Sequence, residues 1–172
     1  MRRLRYQVAT SLDGYIAGPA GEFDWIPMDP DINFAELFAQ FDTAVMGRKT
    51  FLAMLRGGSG TMRGLDVVVF SRTLRPSDYP AVSVVNSDPV ESVRSLKANP
   101  GKDIWLFGGG GLFRTLLEAG LVDTVEPAVV PVLLGGGIPM LPSPAPRTRL
   151  SLSGHRLYPK SGILILEYAV SR

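Results

Sequence analysis

The sequence predicts an α/β fold in which helices cover both faces of a mainly parallel sheet. Short β-branched runs alternate with helical stripes up to about residue 130, and this alternation is typical of parallel strands joined by helical crossovers. Two further strand patterns, at residues 149–157 and 163–170, follow with "YPKSG" between them. They predict an antiparallel hairpin at the end of the chain.

The elements are predicted in chain order. Residues 4–10 form the first strand, and residues 11–30 form a loop whose length is typical of functional loops. Apolar residues at helical spacing then predict a helix over residues 31–41. Further strands are predicted at residues 43–46, 65–70, 82–85, 103–107 and 123–130, and further helices at residues 48–55, 88–97 and 112–119. Pro127 lies inside a predicted strand, which indicates an edge strand or a bulge.

Composition limits the classes of function. The 172 residues are 45% hydrophobic and 20% charged, which predicts a single packed domain. A net charge of +2 without a long basic run argues against nucleic acid as the main partner. No cysteine and one histidine, His155, leave no thiolate or histidine-rich metal site. No apolar run reaches membrane-spanning length and no secretory signal is recognisable, so we expect a cytoplasmic protein.

Cations begin the helix predicted after the second main strand. Gly47 ends that strand, and Arg48, Lys49 and Thr50 follow. Cations at a helix start oppose the helix dipole, whereas the free N–H groups there bind anions. A guanidinium fits phosphate. The tetrapeptide therefore indicates an anion site, with a solvated helix start as the alternative.

Two more junctions strengthen this interpretation. Ser71 and Arg72 directly follow the strand at residues 65–70, and the carboxyl ends of parallel strands meet at one crevice. Four glycines, Gly108, Gly109, Gly110 and Gly111, follow the strand at residues 103–107. They leave the backbone bare for close approach of a ligand, although they match neither the dinucleotide fingerprint nor the P-loop. Together the junctions indicate a nucleotide with an extra phosphate, as in NADPH.

The segments "VMGRKTF", "VVFSRT" and "GGGGLFRTLL" resemble, in this order, the cofactor segments of the dihydrofolate reductase fold. "VATSLDGYIAG" and "GLVDTVEPAVVPVLLGGG" are similar to the C-terminal reductase domain of the riboflavin-biosynthesis protein RibD. The resemblance covers about residues 4–170. It implies an eight-stranded sheet with NADPH across its carboxyl edge, and a stand-alone member, because the cysteine and histidine ligands of the RibD zinc deaminase half are absent.

The resemblance also implies roles for single residues. Gly47, Arg48, Lys49 and Thr50 would hold the pyrophosphate and 2′-phosphate region, and Ser71 and Arg72 the adenosine side. The run from Gly108 to Leu112 would follow the pyrophosphate and nicotinamide ribose, and Ala9 and Gly18 would line the nicotinamide end. A cis peptide bond is implied between Gly108 and Gly109.

On the substrate side, the resemblance implies a protonating carboxylate at Asp31, with Trp25 as the nearby loop tryptophan. Asp31 is equally suited to favour a helix dipole. Asp13, in "SLDG", either binds polar substrate or shapes a turn. His155, on a late strand, is interpreted as an ordinary surface residue.

We therefore expect NADPH-dependent hydride transfer to a small heterocyclic or carbonyl substrate, of the 5-amino-6-(5-phosphoribosylamino)uracil reductase type. Dihydrofolate reduction and a non-catalytic NADPH sensor are the alternatives. Riboflavin-pathway relatives are dimers, which implies a homodimer here, and the apolar residues 131–141 offer a candidate interface.

Overall fold

A computed structural model describes residues 1–171. Its strands are β1 (Leu4–Ser11), β2 (Tyr15–Ala17), β3 (Phe41–Gly47), β4 (Asp66–Phe70), β5 (Ser83–Val85), β6 (Asp103–Gly108), β7 (Thr124–Val130), β8 (Ile138–Pro139), β9 (Leu150–Tyr158) and β10 (Ile163–Val170). Its helices are α1 (Phe34–Phe38), α2 (Arg48–Arg56), α3 (Pro89–Ala98) and α4 (Gly110–Glu118). A 3-10 turn covers Pro76–Asp78.

The main sheet has eight strands in the order β5-β4-β3-β6-β1-β7-β10-β9. The first six of these strands run parallel, and β10 pairs antiparallel with both β7 and β9. The predicted mixed α/β fold with a final antiparallel pair is thus confirmed. A separate small sheet pairs β2 with β8.

Helices pack on both faces of the sheet, as the strand alternation requires. One face packs against α3 and α4 in a cluster that includes Tyr6, Val45 and Phe113. On the other face, Phe51 of α2 packs against Met46 of β3, and smaller apolar clusters extend beside it. None of the described helices has the length and apolarity needed to cross a lipid bilayer.

The predicted helix at residues 31–41 is wrong at both ends. The helix α1 spans only Phe34–Phe38, and Asn33 caps it by accepting a hydrogen bond from the Glu36 N–H at 3.1 Å. Phe41 begins β3 and is buried. The apolar residues at helical spacing therefore belong to three elements: a loop, a short helix and a strand. The helical spacing across them does not reflect one continuous helix.

The interpretation of Pro127 as a mark of an edge strand is also wrong. Its strand β7 lies inside the sheet, between β1 and β10. The residues that pair with β10 run from Thr124 to Val129 but skip Glu126 and Pro127. Proline lacks the N–H that a ladder needs, and a local gap in pairing accommodates it without moving the strand to an edge.

The predicted loop at residues 11–30 contains one strand that the sequence did not reveal. The three residues of β2 pair with β8, and the Met140 N–H donates to the Gly14 carbonyl at 2.9 Å. Residues 131–141 are therefore held against this loop. Part of the segment proposed as an interface is occupied within the chain itself.

Candidate cofactor and substrate site

The three junctions selected from the sequence meet at the carboxyl edge of the sheet. Gly47 pairs with Phe70, the residue before Ser71, and Met46 pairs with Gly108. A Cβ added to Gly109 would lie 3.3 Å from Thr50 Oγ1. The strand register thus places the start of α2, the turn at Ser71 and the glycine run side by side.

Two helix starts at this edge keep their N–H groups free of side-chain caps. Gly47 caps α2 and Gly109 caps α4, and neither helix has a side-chain cap or an acidic residue in its first turn. A helix start without such partners offers N–H groups and a positive dipole end to an anion. Both helix starts are therefore suited to an anion.

The cations at this edge have no protein partner. Arg48, Lys49 and Arg72 are exposed, and among residues 1–171 none of them forms an ion pair or side-chain hydrogen bond. Their positive charge adds to that of the two helix starts. The edge is thus electrostatically suited to a multiply charged anion.

Ser71 builds the turn that carries Arg72. It is buried, and its hydroxyl accepts hydrogen bonds from the Thr73 and Leu74 N–H groups at 3.2 and 3.0 Å. Its carbonyl accepts a bond from Asn86 Nδ2 at 2.5 Å. A role of Ser71 toward the adenosine therefore stays a prediction, whereas its role in holding the turn is observed.

The glycine run is closely packed at one position and open at another. A Cβ at Gly110 would lie 2.6 Å from the Pro139 carbonyl oxygen and 2.8 Å from that of Met140, whereas a Cβ at Gly111 would meet nothing within 4 Å. The peptide bond between Gly108 and Gly109 is cis, as the resemblance implied. Glycine is therefore required at position 110, because residues 139–140 pack against it at the start of α4. The backbone at Gly111 is open.

Ala9 and Gly18 are the residues that the resemblance assigns to the nicotinamide end. Ala9 is half-buried in β1, the strand next to β6. Gly18 follows β2, and its N–H donates to the Glu22 carbonyl at 2.8 Å. Ala9 therefore lies in a strand next to the one that precedes the glycine run, whereas Gly18 lies in the loop after β2. Contact of either residue with a nicotinamide stays a prediction.

Asp13 is engaged in the structure of its loop. Its carboxylate accepts bonds from Ser11 Oγ at 2.7 Å and from the Leu134 and Gly135 N–H groups at 3.1 and 2.8 Å. These bonds, that of Ser11 foremost, lower the pKa of Asp13. They join the turn after β1 to the loop after β7. This agrees with the alternative in which Asp13 shapes a turn. A catalytic role for Asp13 stays a prediction.

Asp31 lies outside α1, three residues before the helix begins. Its half-exposed carboxylate accepts a bond from Lys160 Nζ at 2.8 Å, and this bond raises the pKa of Lys160. Trp25 Nε1 donates to the Glu22 carbonyl at 3.2 Å, and the ring packs beside Val130. Both residues are thus held by contacts within the chain, and their roles toward a substrate stay predictions.

Asp29, which no sequence pattern singles out, anchors this loop. Asp29 is 3% exposed, and it accepts bonds from the Asp31 N–H at 2.9 Å and the Ser161 N–H at 3.1 Å. Bonding to Ser161 is the main cause that lowers the pKa of Asp29. Its carboxylate therefore ties residues 18–33, which we call the substrate loop because the predicted substrate residues Trp25 and Asp31 lie in it, to the turn between β9 and β10. The role of Asp29 could not be predicted from the sequence, because the loop contains several acidic residues and they follow no periodic pattern.

A cavity also joins the substrate loop to α2. It has a volume of about 360 Å³ and is lined by the loop residues 20–23 and by Ala53, Arg56 and Gly57. Arg56 has no ion-pair partner among the residues that the structure describes. It lies in the last turn of α2, roughly 12 Å along the helix from Arg48.

The pattern that defines the RibD C-terminal domain matches residues 2–164. The chain belongs to the RibD C-terminal domain family. The uncharacterized Bacillus subtilis protein YyaP is 37% identical over 97% of this chain and 94% of its own length. The riboflavin biosynthesis protein RibD of Mycobacterium tuberculosis is 27% identical over 77% of this chain, and the match covers 43% of RibD.

Solved structures show the same fold. A protein from Shewanella sp. PV-4 that is named for riboflavin biosynthesis matches with a TM-score of 0.85 and 26% identity over 99% of both chains. Dihydrofolate reductase from Enterococcus faecalis, crystallised with NADP(H), matches with a TM-score of 0.73 at 20% identity, over 99% of this chain and 97% of its own. This RibD C-terminal domain therefore has the dihydrofolate reductase fold.

Proposed function

We propose that the protein is an NADPH-dependent reductase that acts in the cytoplasm on a small heterocyclic or carbonyl substrate, of the 5-amino-6-(5-phosphoribosylamino)uracil reductase type. One observation carries the proposal. Two uncapped helix starts and three unpaired cations share the carboxyl edge of the sheet. Membership of the RibD C-terminal domain family and the fold shared with an NADP(H)-bound dihydrofolate reductase support it.

The residues at this edge fit a phosphorylated dinucleotide. The N–H groups at the start of α2 and α4 would hold the pyrophosphate, and Arg48 and Arg72 would pair with the 2′-phosphate through charge-assisted bonds. When bound, NADPH supplies the hydride. The protein binds and orients the reactants, and the open backbone at Gly111 leaves room for them.

The substrate side has one carboxylate suited to proton delivery. Asp31 would hold or protonate the substrate, which requires its bond to Lys160 to open, because Lys160 Nζ donates to this carboxylate at 2.8 Å. Trp25, in the same loop, packs against the cluster of Val130, Tyr158 and Ile163. Asp13 would act indirectly, by fixing the turn after β1 through its bonds to Leu134 and Gly135.

The cavity between the substrate loop and α2 would receive the part of the substrate beyond its reacting ring. Arg56 would meet an anionic group there, such as a phosphate or a carboxylate. Such a group is also present on glutamate-tailed folates. Dihydrofolate reduction is therefore the second candidate, and Arg56 supplies the substrate-side cation that it needs.

Turnover tests the proposal. Loss of NADPH absorbance should follow addition of the ribosylaminopyrimidine substrate of the riboflavin pathway, and dihydrofolate is the comparison substrate. Faster turnover with dihydrofolate would favour the second candidate. Binding of NADPH without turnover on a broad panel of pyrimidines and pterins would instead identify a cofactor sensor.

A further inference from the structure

One side-chain amide holds both ends of the turn that carries Arg72. Asn86 directly follows β5, and its Nδ2 group donates to the Ser71 carbonyl at 2.5 Å and to the Leu74 carbonyl at 3.1 Å. An amide NH2 group has two protons, so these two bonds use both of them. Ser71 and Leu74 are the first and last residues of this turn, and we call residues 71–74 the arginine turn.

The Asn86 side chain continues the connection between β4 and β5 where their backbone ladder ends. The last pair of that ladder joins Phe70 to Val85, and the Ser71 N–H donates to the Val85 carbonyl at 3.1 Å. The next position along the two strands is that of Ser71 and Asn86, and there the Asn86 side chain bonds to the Ser71 carbonyl. The start of the arginine turn is therefore tied to β5 through both its N–H and its carbonyl.

The arginine turn is fixed in its backbone but leaves one guanidinium free. Within it, the Ser71 hydroxyl accepts bonds from the Thr73 and Leu74 N–H groups. Arg72 is exposed and forms no ion pair among residues 1–171. The location of this cation is therefore set by the backbone of the turn. A group that is held in place before binding loses less conformational freedom when its ligand arrives.

We propose that Asn86 is a positioning residue for cofactor selection: by holding the arginine turn, it places Arg72 where a 2′-phosphate on the ribose of adenosine would bind. This inference rests on the proposed function, in which Arg72 pairs with that phosphate. Asn86 acts through Arg72 and not by contact with the phosphate. NADH carries a hydroxyl in place of the phosphate, so the contribution of Asn86 concerns NADPH alone.

The two arginines at this edge are held by different means. Arg48 is the first residue of α2, so the hydrogen bonds of a nine-residue helix fix its backbone. Arg72 lies in a four-residue turn in which one exposed side chain, that of Asn86, supplies two of the bonds. A substitution of Asn86 should therefore displace Arg72 and leave Arg48 in place. Because Asn86 is exposed, its substitution should change the stability of the fold little.

Titration calorimetry of the full chain with NADPH and with NADH tests the proposal. Asn86→Ala should weaken NADPH binding about five- to tenfold, which corresponds to the net contribution of one or two hydrogen bonds, and should leave NADH binding almost unchanged. Asn86→Leu, which keeps the size of the side chain but has no donor, should behave in the same way. Asn99→Ala removes an exposed asparagine at the C-terminal end of α3, and this matched control should alter neither affinity.

A double-mutant cycle separates positioning from a general loosening of the fold. If Asn86 acts through Arg72, Asn86→Ala should have almost no further effect on NADPH affinity in the Arg72→Ala variant. The same loss in both backgrounds would overturn the proposal, as would equal losses for NADPH and NADH or an unchanged NADPH affinity of both Asn86 variants. Circular dichroism and the melting temperature of each variant check folding.

The outcomes also distinguish this inference from the proposed function. A wild-type chain that binds no NADPH would contradict both. A wild-type chain that prefers NADPH, and that loses this preference with Arg72→Ala but keeps it with Asn86→Ala, would overturn the positioning role alone.

Discussion

The two ends of the parallel strands differ in whether their cations are paired with carboxylates. At the amino end, Arg5 of β1 forms two bonds to the Glu126 carboxylate, at 2.8 and 2.7 Å, and both residues are buried. Two further cations there, Arg2 and Lys97, are buried and pair with carboxylates. These pairs hold the starts of neighbouring strands together.

At the carboxyl end, Arg48, Lys49 and Arg72 are exposed and have no partner in residues 1–171. The same residue types therefore act in the fold at one end and remain available to a ligand at the other. An unpaired cation is not by itself a sign of a site, because Arg63 and Arg147 are also exposed and form no ion pair in residues 1–171. The three cations are candidates for ligand binding because they also lie beside two uncapped helix starts. The difference between the two ends predicts that stability and cofactor binding can be changed separately.

The largest expected effect is on stability at the amino end. Arg5→Met leaves Glu126 buried without its guanidinium, which should lower the free energy of unfolding by about 3–5 kcal/mol. The dissociation constant for NADPH should not change, because the pair is remote from the carboxyl edge. Urea unfolding and calorimetry measure the two quantities. A weaker affinity for NADPH in the folded variant would contradict the separation of stability from cofactor binding.

Stability can also be lowered at the carboxyl end without changing a charge. Gly110→Ala places a Cβ against two backbone carbonyls, and such overpacking should cost about 1–3 kcal/mol. Gly111→Ala, where a Cβ meets nothing within 4 Å, should leave the melting temperature unchanged or raised. Equal melting temperatures for the two variants would contradict the packing of residues 139–140 on α4.

Asp29 tests whether an acid can stabilise the substrate loop. Its pKa in the fold lies below the ordinary 3.8, so its contribution is present above that pH and is lost as the pH falls through the lowered pKa. Asp29→Asn should lower the free energy of unfolding at neutral pH, because the amide loses the charge-assisted bonds of the carboxylate, and should flatten the loss of stability in acid. The exposed Asp24→Asn is the control and should keep the wild-type pH profile.

The smallest expected effect concerns the substrate alone. Arg56→Ala should raise KM by about tenfold, the equivalent of one lost charge-assisted bond, with kcat and NADPH affinity unchanged. Arg63→Ala, in the connector after α2, removes the same charge outside the cavity lining. If both variants behave like wild type in steady-state kinetics, the cavity does not hold the charged part of the substrate.

Much of this molecule could be predicted from its sequence because strong periodic runs form its sheet. The buried strands and the starts of α2 and α4 produce local patterns, and parallel topology then brings Gly47, Ser71 and Gly108 to one edge. The incorrect or missing predictions concern residues whose structure depends on partners that are distant in the sequence. The strand β2 forms only through β8, Asp29 gains its role only through Ser161, and Arg56 resembles any cation at a helix end.

Titration calorimetry of NADPH and NADH with the Arg48→Ala, Arg72→Ala double variant tests the central claim most directly. The double variant should bind NADPH about 100-fold more weakly, as the loss of charge-assisted bonds implies, and should bind NADH almost as wild type does. Arg147→Ala with Arg149→Ala makes the same charge change away from the edge and should alter neither affinity. Equal losses for NADPH and NADH, or no heat with NADPH and the wild-type chain, would contradict the account.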